Sequence, residues 1–102
     1  MSLELIAPIK NLIEEPCRLN IVNSIKDAGF NLVYELNDNT INGYVKTGEH
    51  YKSNQPPLFE LIFQPNLISL SVYGDLNELS QIREVVSFIF ASKNVEIDLQ
   101  EE

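Results

Sequence analysis

The sequence is poor in the side chains that carry out polar chemistry. Its 102 residues include a single histidine, a single cysteine and no tryptophan. It contains no glycine-rich phosphate-binding loop and no cluster of residues at the spacing of metal ligands. We therefore expect the protein not to be an enzyme, and we expect no cofactor and no metal.

The scarcity of cysteine and of long apolar runs indicates in which compartment of the cell the protein is expected. The lone Cys17 cannot form an internal disulfide, and the N-terminus carries no secretory signal, which together favour a reducing cytoplasm. No apolar run approaches the roughly 18–20 residues that span a bilayer. The sequence thus predicts a soluble, cytoplasmic protein without membrane contact.

Basic residues are also scarce. Fifteen acidic residues stand against seven basic ones, which gives a net charge of −8. Because contacts to phosphate come from Lys and Arg, this balance argues against direct binding of nucleic acid. The same negative field attracts a basic partner, such as a toxin or a nucleic-acid-binding protein. The alternative is that the charge only keeps a small protein in solution.

What the sequence does contain predicts one domain over residues 1–102, with 44% hydrophobic residues. Apolar residues at helical spacing predict a first helix in residues 2–15, which is either capped by Ser2 and kinked at Pro8 or begins at Pro8. Pro16 then starts a second helix, with Leu19 in its buried stripe. Gly29 is placed to end it in a left-handed conformation.

Alternating patterns predict strands at residues 30–36, 40–51, 58–63 and 67–73. A capping box at Asp75 and Glu78 opens a long helix over residues 76–93, and Asn94 precedes a final strand at 95–100. The order is ααββββαβ. Hairpin-length connections require antiparallel neighbours, so we expect an α+β fold of two layers, with about five strands and the helices on one face.

The C-terminal segment is a candidate binding site because acidic residues are concentrated there. Glu96, Asp98, Glu101 and Glu102 lie within the last seven residues, with no Lys or Arg after Lys93. They are predicted to form a docking stripe for a basic partner. The alternative is that they protect an edge strand from aggregation.

Two further sets of residues are candidates for contact with another chain. Tyr34, Tyr44 and Tyr73 are predicted to point out of the sheet, where tyrosine is favoured at protein interfaces. Val85 and Phe88 make the last helix apolar nearly all round, which a helix on a single sheet does not need. They predict a homodimer interface, with ordinary core packing as the alternative.

The segment from Leu19 to Gly74, a helix followed by paired hairpins in a small acidic domain, loosely resembles the small secretion chaperones. That resemblance implies a homodimeric chaperone or adaptor that holds a peptide segment. The leading hypothesis remains a non-enzymatic, inhibitor- or immunity-type protein that neutralises a basic macromolecule.

Overall fold

The computed structural model describes residues 3–102, in which six strands form one antiparallel sheet of order β2-β3-β4-β5-β1-β6. The elements are β1 Leu3–Pro8, α1 Glu15–Asp27, β2 Phe30–Leu36, β3 Ile41–Lys46, β4 Phe59–Gln64, β5 Leu67–Val72, α2 Leu76–Ser92 and β6 Gln100–Glu101. Apolar side chains from one face of the sheet and from both helices share a single core. The predicted two-layer α+β fold is confirmed.

The first element is a strand, so the predicted helix in residues 2–15 is wrong. Leu5 and Ala7 are buried in the core while Glu4 and Pro8 are exposed, which is the alternation of a strand. β1 lies between β5 and β6 and is antiparallel to both. Its partners come from distant parts of the chain, so this pairing overrides the local helical spacing. The cap predicted at Ser2 lies outside the described residues.

The boundaries of α1 follow the sequence prediction. Pro16 lies in the first turn, and Gly29 follows the helix with a φ of 105°. The Gly29 N–H donates to the carbonyl of Lys26 at 3.1 Å, which closes the last turn. The predicted buried stripe of Leu19, Val22 and Ile25 is confirmed at Val22 and Ile25, which are buried, and is wrong at Leu19, which is 45% exposed.

A β-bulge in β2 changes which side chains share a face. The register with β3 shifts between Leu32 and Tyr34. Phe30 and Leu32 therefore pack against the core, whereas Tyr34 and Leu36 project from the opposite face.

The C-terminal third is anchored by α2. The Glu78 N–H donates to the Asp75 carboxylate at 2.8 Å, which confirms the predicted capping box. Ile82 and Val86 are buried against the sheet, and Asn94 ends the helical segment with a φ of 62°. The predicted strand at residues 95–100 is wrong over residues 95–99, because strand pairing begins only at Gln100. Within residues 3–102, no helix is long and apolar enough to cross a membrane.

Candidate functional site: the open face of the sheet

The face of the sheet that the helices leave uncovered, called here the open face, carries a row of mostly aliphatic side chains. Residues paired in register across neighbouring strands share a face, so one row can be followed from edge to edge. This aliphatic row contains Leu36, Ile41, Ile62, Ser69, Ile6 and Gln100 in strand order. Its isoleucines are half-buried and Leu36 is exposed, so apolar surface remains accessible.

A second row lies beside the first and is displaced from it by two residues on each strand. This acidic row contains Tyr34, Gly43, Glu60, Ser71 and Glu4 in strand order. Glu102 extends it at the edge, because its N–H donates to the carbonyl of Glu4 at 3.2 Å. Neither row contains a Lys or an Arg, so the open face carries negative charge beside apolar surface.

Tyr34, on the edge strand β2, is held in place by contacts with β3 and β4. Its hydroxyl donates a hydrogen bond to the carboxylate of Glu60, two strands away. The ring crosses β3 at Gly43, where an added Cβ atom would overlap it. Burial, followed by the hydrogen bond and the charge of Glu60, raises the pKa of the Tyr34 phenol above its ordinary value. The phenol therefore stays protonated and keeps donating.

Two more tyrosines gather at this end of the open face. The ring centroid of Tyr51 lies 6.3 Å from that of Tyr34. Tyr73, which is 37% exposed, follows β5 directly. Burial, then the charges of Glu60 and Glu4, raises the pKa of its phenol.

Tyr44, predicted to point outward, lies in the core. Its exposed fraction is 0%, and its ring stacks on Phe59 with centroids 4.9 Å apart. The register pairs it with Phe59 on the helix-covered face, because it is one residue away from Gly43 on the open face. Its hydroxyl is buried and has no hydrogen-bond partner among residues 3–102. Tyr44 therefore cannot contact a partner protein in this fold.

The four C-terminal acids do not form one stripe. Glu102 joins the acidic row, and its hydrogen bond to Glu4 and the repulsion between the two charges raise the pKa of Glu4. Glu101 pairs with Leu5, whose side chain faces the core, and is itself exposed at the sheet edge. The Asp98 carboxylate accepts a hydrogen bond from Gln100 at 2.7 Å, next to the end of the aliphatic row. Glu96 lies apart, beside the helices.

The predicted dimer residues differ in exposure. Phe88 is 75% exposed on the outer side of α2. Val85 is half-buried and packs against the core. The structure therefore leaves Phe88, rather than both residues, as an accessible apolar contact.

A groove lies between the segment that precedes α1 and the segment that follows α2. It measures about 630 Å³ and is lined by Leu12, Ile13, Cys17, Val95 and Glu96 among others. Cys17 is half-buried there. His50 is exposed, between the third and fourth strands. Within residues 3–102, no group of three or more His, Cys, Asp or Glu side chains could hold a metal ion.

Sequence reasoning missed Glu4, Glu60 and Ser71 as members of the candidate site. Gly43 carries a local signal, because a glycine inside a strand marks a bulge or a close approach, and the ring of Tyr34 lies against it. The strand pairing that brings the others together joins residues far apart in the sequence.

Comparisons with protein families, with curated proteins and with solved structures find no match for this chain.

Proposed function

We propose that this protein is a non-enzymatic binding module that neutralises a basic protein, and that it binds this partner through the open face. The observation that carries the proposal is the pair of adjacent rows, one aliphatic and one acidic, on a sheet face that no helix covers. A cytoplasmic location fits its single, unpaired Cys17.

The composition of the open face suits a protein interface. Stable interfaces combine an apolar centre with polar groups, and they are enriched in tyrosine. The half-buried isoleucines supply the apolar area, and Tyr34 and Tyr73 supply aromatic area beside it. Tyr34 is fixed by its bond to Glu60, so binding does not have to order it again.

The negative charge of the open face favours a positively charged partner. Glu60, Glu4 and Glu102 follow one another along the acidic row without a compensating cation. Two copies joined through this face would oppose carboxylates to carboxylates, which is unfavourable. A phosphate backbone is repelled for the same reason. A protein rich in Lys and Arg is complementary to this surface.

The test is affinity purification from the native host with three versions of the full chain. The first is the wild type. The second is an open-face variant with Glu4→Gln, Glu60→Gln and Glu102→Gln. The third is a control with Glu14→Gln, Asp27→Asn and Glu84→Gln, which removes the same charge from exposed positions on the helix layer.

We expect the wild type and the control to retain the same basic protein and the open-face variant to lose it. Loss from both variants to the same extent would mean that total charge, and not the open face, determines binding. Retention by the open-face variant would place the binding site elsewhere.

A homodimeric chaperone or adaptor is the second candidate function, and the exposure of Phe88 is the observation that favours it. A large aromatic side chain that is 75% exposed on a helix suits contact with a second copy or a peptide segment. It lies on the helix layer, so it is compatible with a partner on the open face. The oligomeric state in solution tests it.

A further inference from the structure

We propose that the partner contributes an extended segment that pairs with the free edge of β2 as a further strand of the sheet. This inference rests on the proposed function, in which the partner is a basic protein, and adds the conformation of its bound segment. It depends on the unpaired backbone of Phe30 and Leu32, on the exposed Leu19 of the adjoining helix and on the position of β2 at the end of the open face.

β2 forms one edge of the sheet. Among the described residues, β3 is the only strand that pairs with it, whereas β6 at the other edge is two residues long. Edge strands of soluble proteins are commonly protected by lysine or proline. The sequence of β2 contains neither, and Glu35 is its single charged residue. A bulge follows Leu32 and interrupts the edge, so we expect the added strand to be short.

The backbone of Phe30 and Leu32 points away from the sheet. The Thr47 N–H donates to the carbonyl of Gly29 at 3.0 Å, which directs that carbonyl toward β3. In an antiparallel ladder, successive residues direct their N–H and C=O groups alternately to one side and to the other. Asn31 therefore faces β3, and the N–H and C=O groups of Phe30 and Leu32 face outward. An edge with free groups of this kind is a template for a strand.

Leu19 gives this edge an apolar cover on the helix side. α1 packs on β2 and also contacts α2. Cys17 lines the groove beside the segment that follows α2, and Leu19 lies about 200° further round the helix. Leu19 is therefore on the flank of α1 above the edge of β2, and it is 45% exposed. Alternate side chains of an added strand would pack between Leu19 and the half-buried Phe30 and Leu32.

The side chains on the other face of an added strand would join the open face. They would lie at the end of its two rows, beside Tyr34 of the acidic row and Leu36 of the aliphatic row. Basic side chains are complementary to that face. A segment in which basic and apolar residues alternate therefore fits both faces of this edge. β2 itself contains no basic residue, so a second copy of the chain does not offer this pattern.

The test uses three capped heptapeptides of alternating lysine and valine, titrated into the full chain and followed by nuclear magnetic resonance. The first is unmodified, the second has backbone N-methyl groups at each valine, and the third has them at each lysine. All three carry the same charge. Valines on the helix side of the sheet pair with Phe30 and Leu32, so their N–H groups point to β2 and those of the lysines point away. Leu19→Ser is the variant of the chain, and Leu12→Ser, at a residue that is 56% exposed, is its control.

We expect N-methylation of the valines to weaken binding about tenfold and N-methylation of the lysines to weaken it less than about twofold, because only the valine groups bond to β2. Leu19→Ser should weaken binding about fivefold, and Leu12→Ser less than about twofold. Hydrogen exchange gives the direct readout. The amides of Phe30 and Leu32 should exchange rapidly in the free protein and become protected by the unmodified peptide.

Three results would overturn the inference. If the two methylated peptides bind equally well, charge alone holds them, and the proposed function stands without the added strand. If the amides of Phe30 and Leu32 are already protected in the free protein and its mass is doubled, a second copy occupies the edge. If no peptide binds, the edge is not a strand-binding site. In each case the capture experiment with the open-face variant decides the proposed function separately.

Discussion

The Tyr34 hydroxyl reaches the Glu60 carboxylate by passing over an intervening strand, at the one position of that strand where the side chain is absent. Gly43 is therefore as much a part of this interaction as the two residues that form the bond. The relationship links three strands on the open face, and it fixes an aromatic ring and a carboxylate in one orientation beside the aliphatic row.

Replacing Gly43 by alanine should displace the Tyr34 ring and break its bond to Glu60. We expect the free energy of unfolding to fall by about 1–3 kcal/mol, as for other insertions into packed sites. Chemical denaturation measures this loss. In the background of Tyr34→Ala the same substitution should cost much less, because the ring that it meets is gone. An equal cost in both backgrounds would show that Gly43 is needed for another reason.

Removing the hydroxyl of Tyr34 should lower the free energy of unfolding, and removing that of Tyr44 should raise it. Tyr34→Phe removes a hydrogen bond to a carboxylate and should destabilise the fold by about 1–2 kcal/mol. Tyr44→Phe removes a buried hydroxyl that has no partner and should stabilise it by about 1–3 kcal/mol. Urea denaturation of the two variants provides the comparison. A loss of stability in Tyr44→Phe would mean that its hydroxyl has a partner after all.

Local signals in the sequence predicted the helix ends and most strands. A left-handed Gly29 and the reciprocal bonds of Asp75 and Glu78 depend on a few neighbouring residues, so their patterns can be read directly. The N-terminal strand could not be read in this way. Its apolar residues fit both a helix and a strand, and the choice is made by pairing with β5, more than 50 residues away in the sequence.

The candidate site was less predictable than the fold because it is built from cross-strand register. A bulge in β2 places Tyr34 on the open face. Tyr44 follows Gly43 by one residue in β3, so its side chain points to the opposite face, into the core. Glu4, Glu60 and Ser71 become neighbours only when β1, β4 and β5 pair. No local pattern in the chain carries that information.

The paired carboxyls of Glu4 and Glu102 should make stability depend on pH. The pKa of Glu4 is raised in the fold, so the folded protein binds more protons than the unfolded chain just above the ordinary value of 4.5. The repulsion therefore destabilises the fold at neutral pH and is relieved as the pH falls through the raised pKa.

Glu102→Gln should accordingly raise the melting temperature at pH 7, and this gain should shrink as the pH falls through the raised pKa of Glu4 and the Glu4 carboxylate becomes neutral. Melting curves across this range measure the difference. Glu84→Gln serves as the control, since Glu84 is exposed on α2 and its replacement removes the same charge. A gain for Glu102→Gln that persists at low pH would show that it does not come from charge repulsion.

Phe88 should govern self-association. If the outer side of α2 joins two copies, Phe88→Ser should convert a dimer into a monomer, because it removes the large apolar side chain that is 75% exposed. Leu76→Ser is the matched control, since Leu76 is 71% exposed at the other end of the same helix. Light scattering at micromolar concentration gives the masses. A monomeric wild type would remove the dimer prediction altogether.

Mapping the bound surface by nuclear magnetic resonance tests the open face most directly. Isotope-labelled protein is titrated with the basic protein captured from the host, and the shifts of amide and methyl signals are followed. The account predicts the largest changes at Ile6, Ile41, Ile62, Ser69 and Ser71, with signals of the outer side of α2 unaffected. Changes confined to α2 around Phe88, with the open face unperturbed, would contradict it.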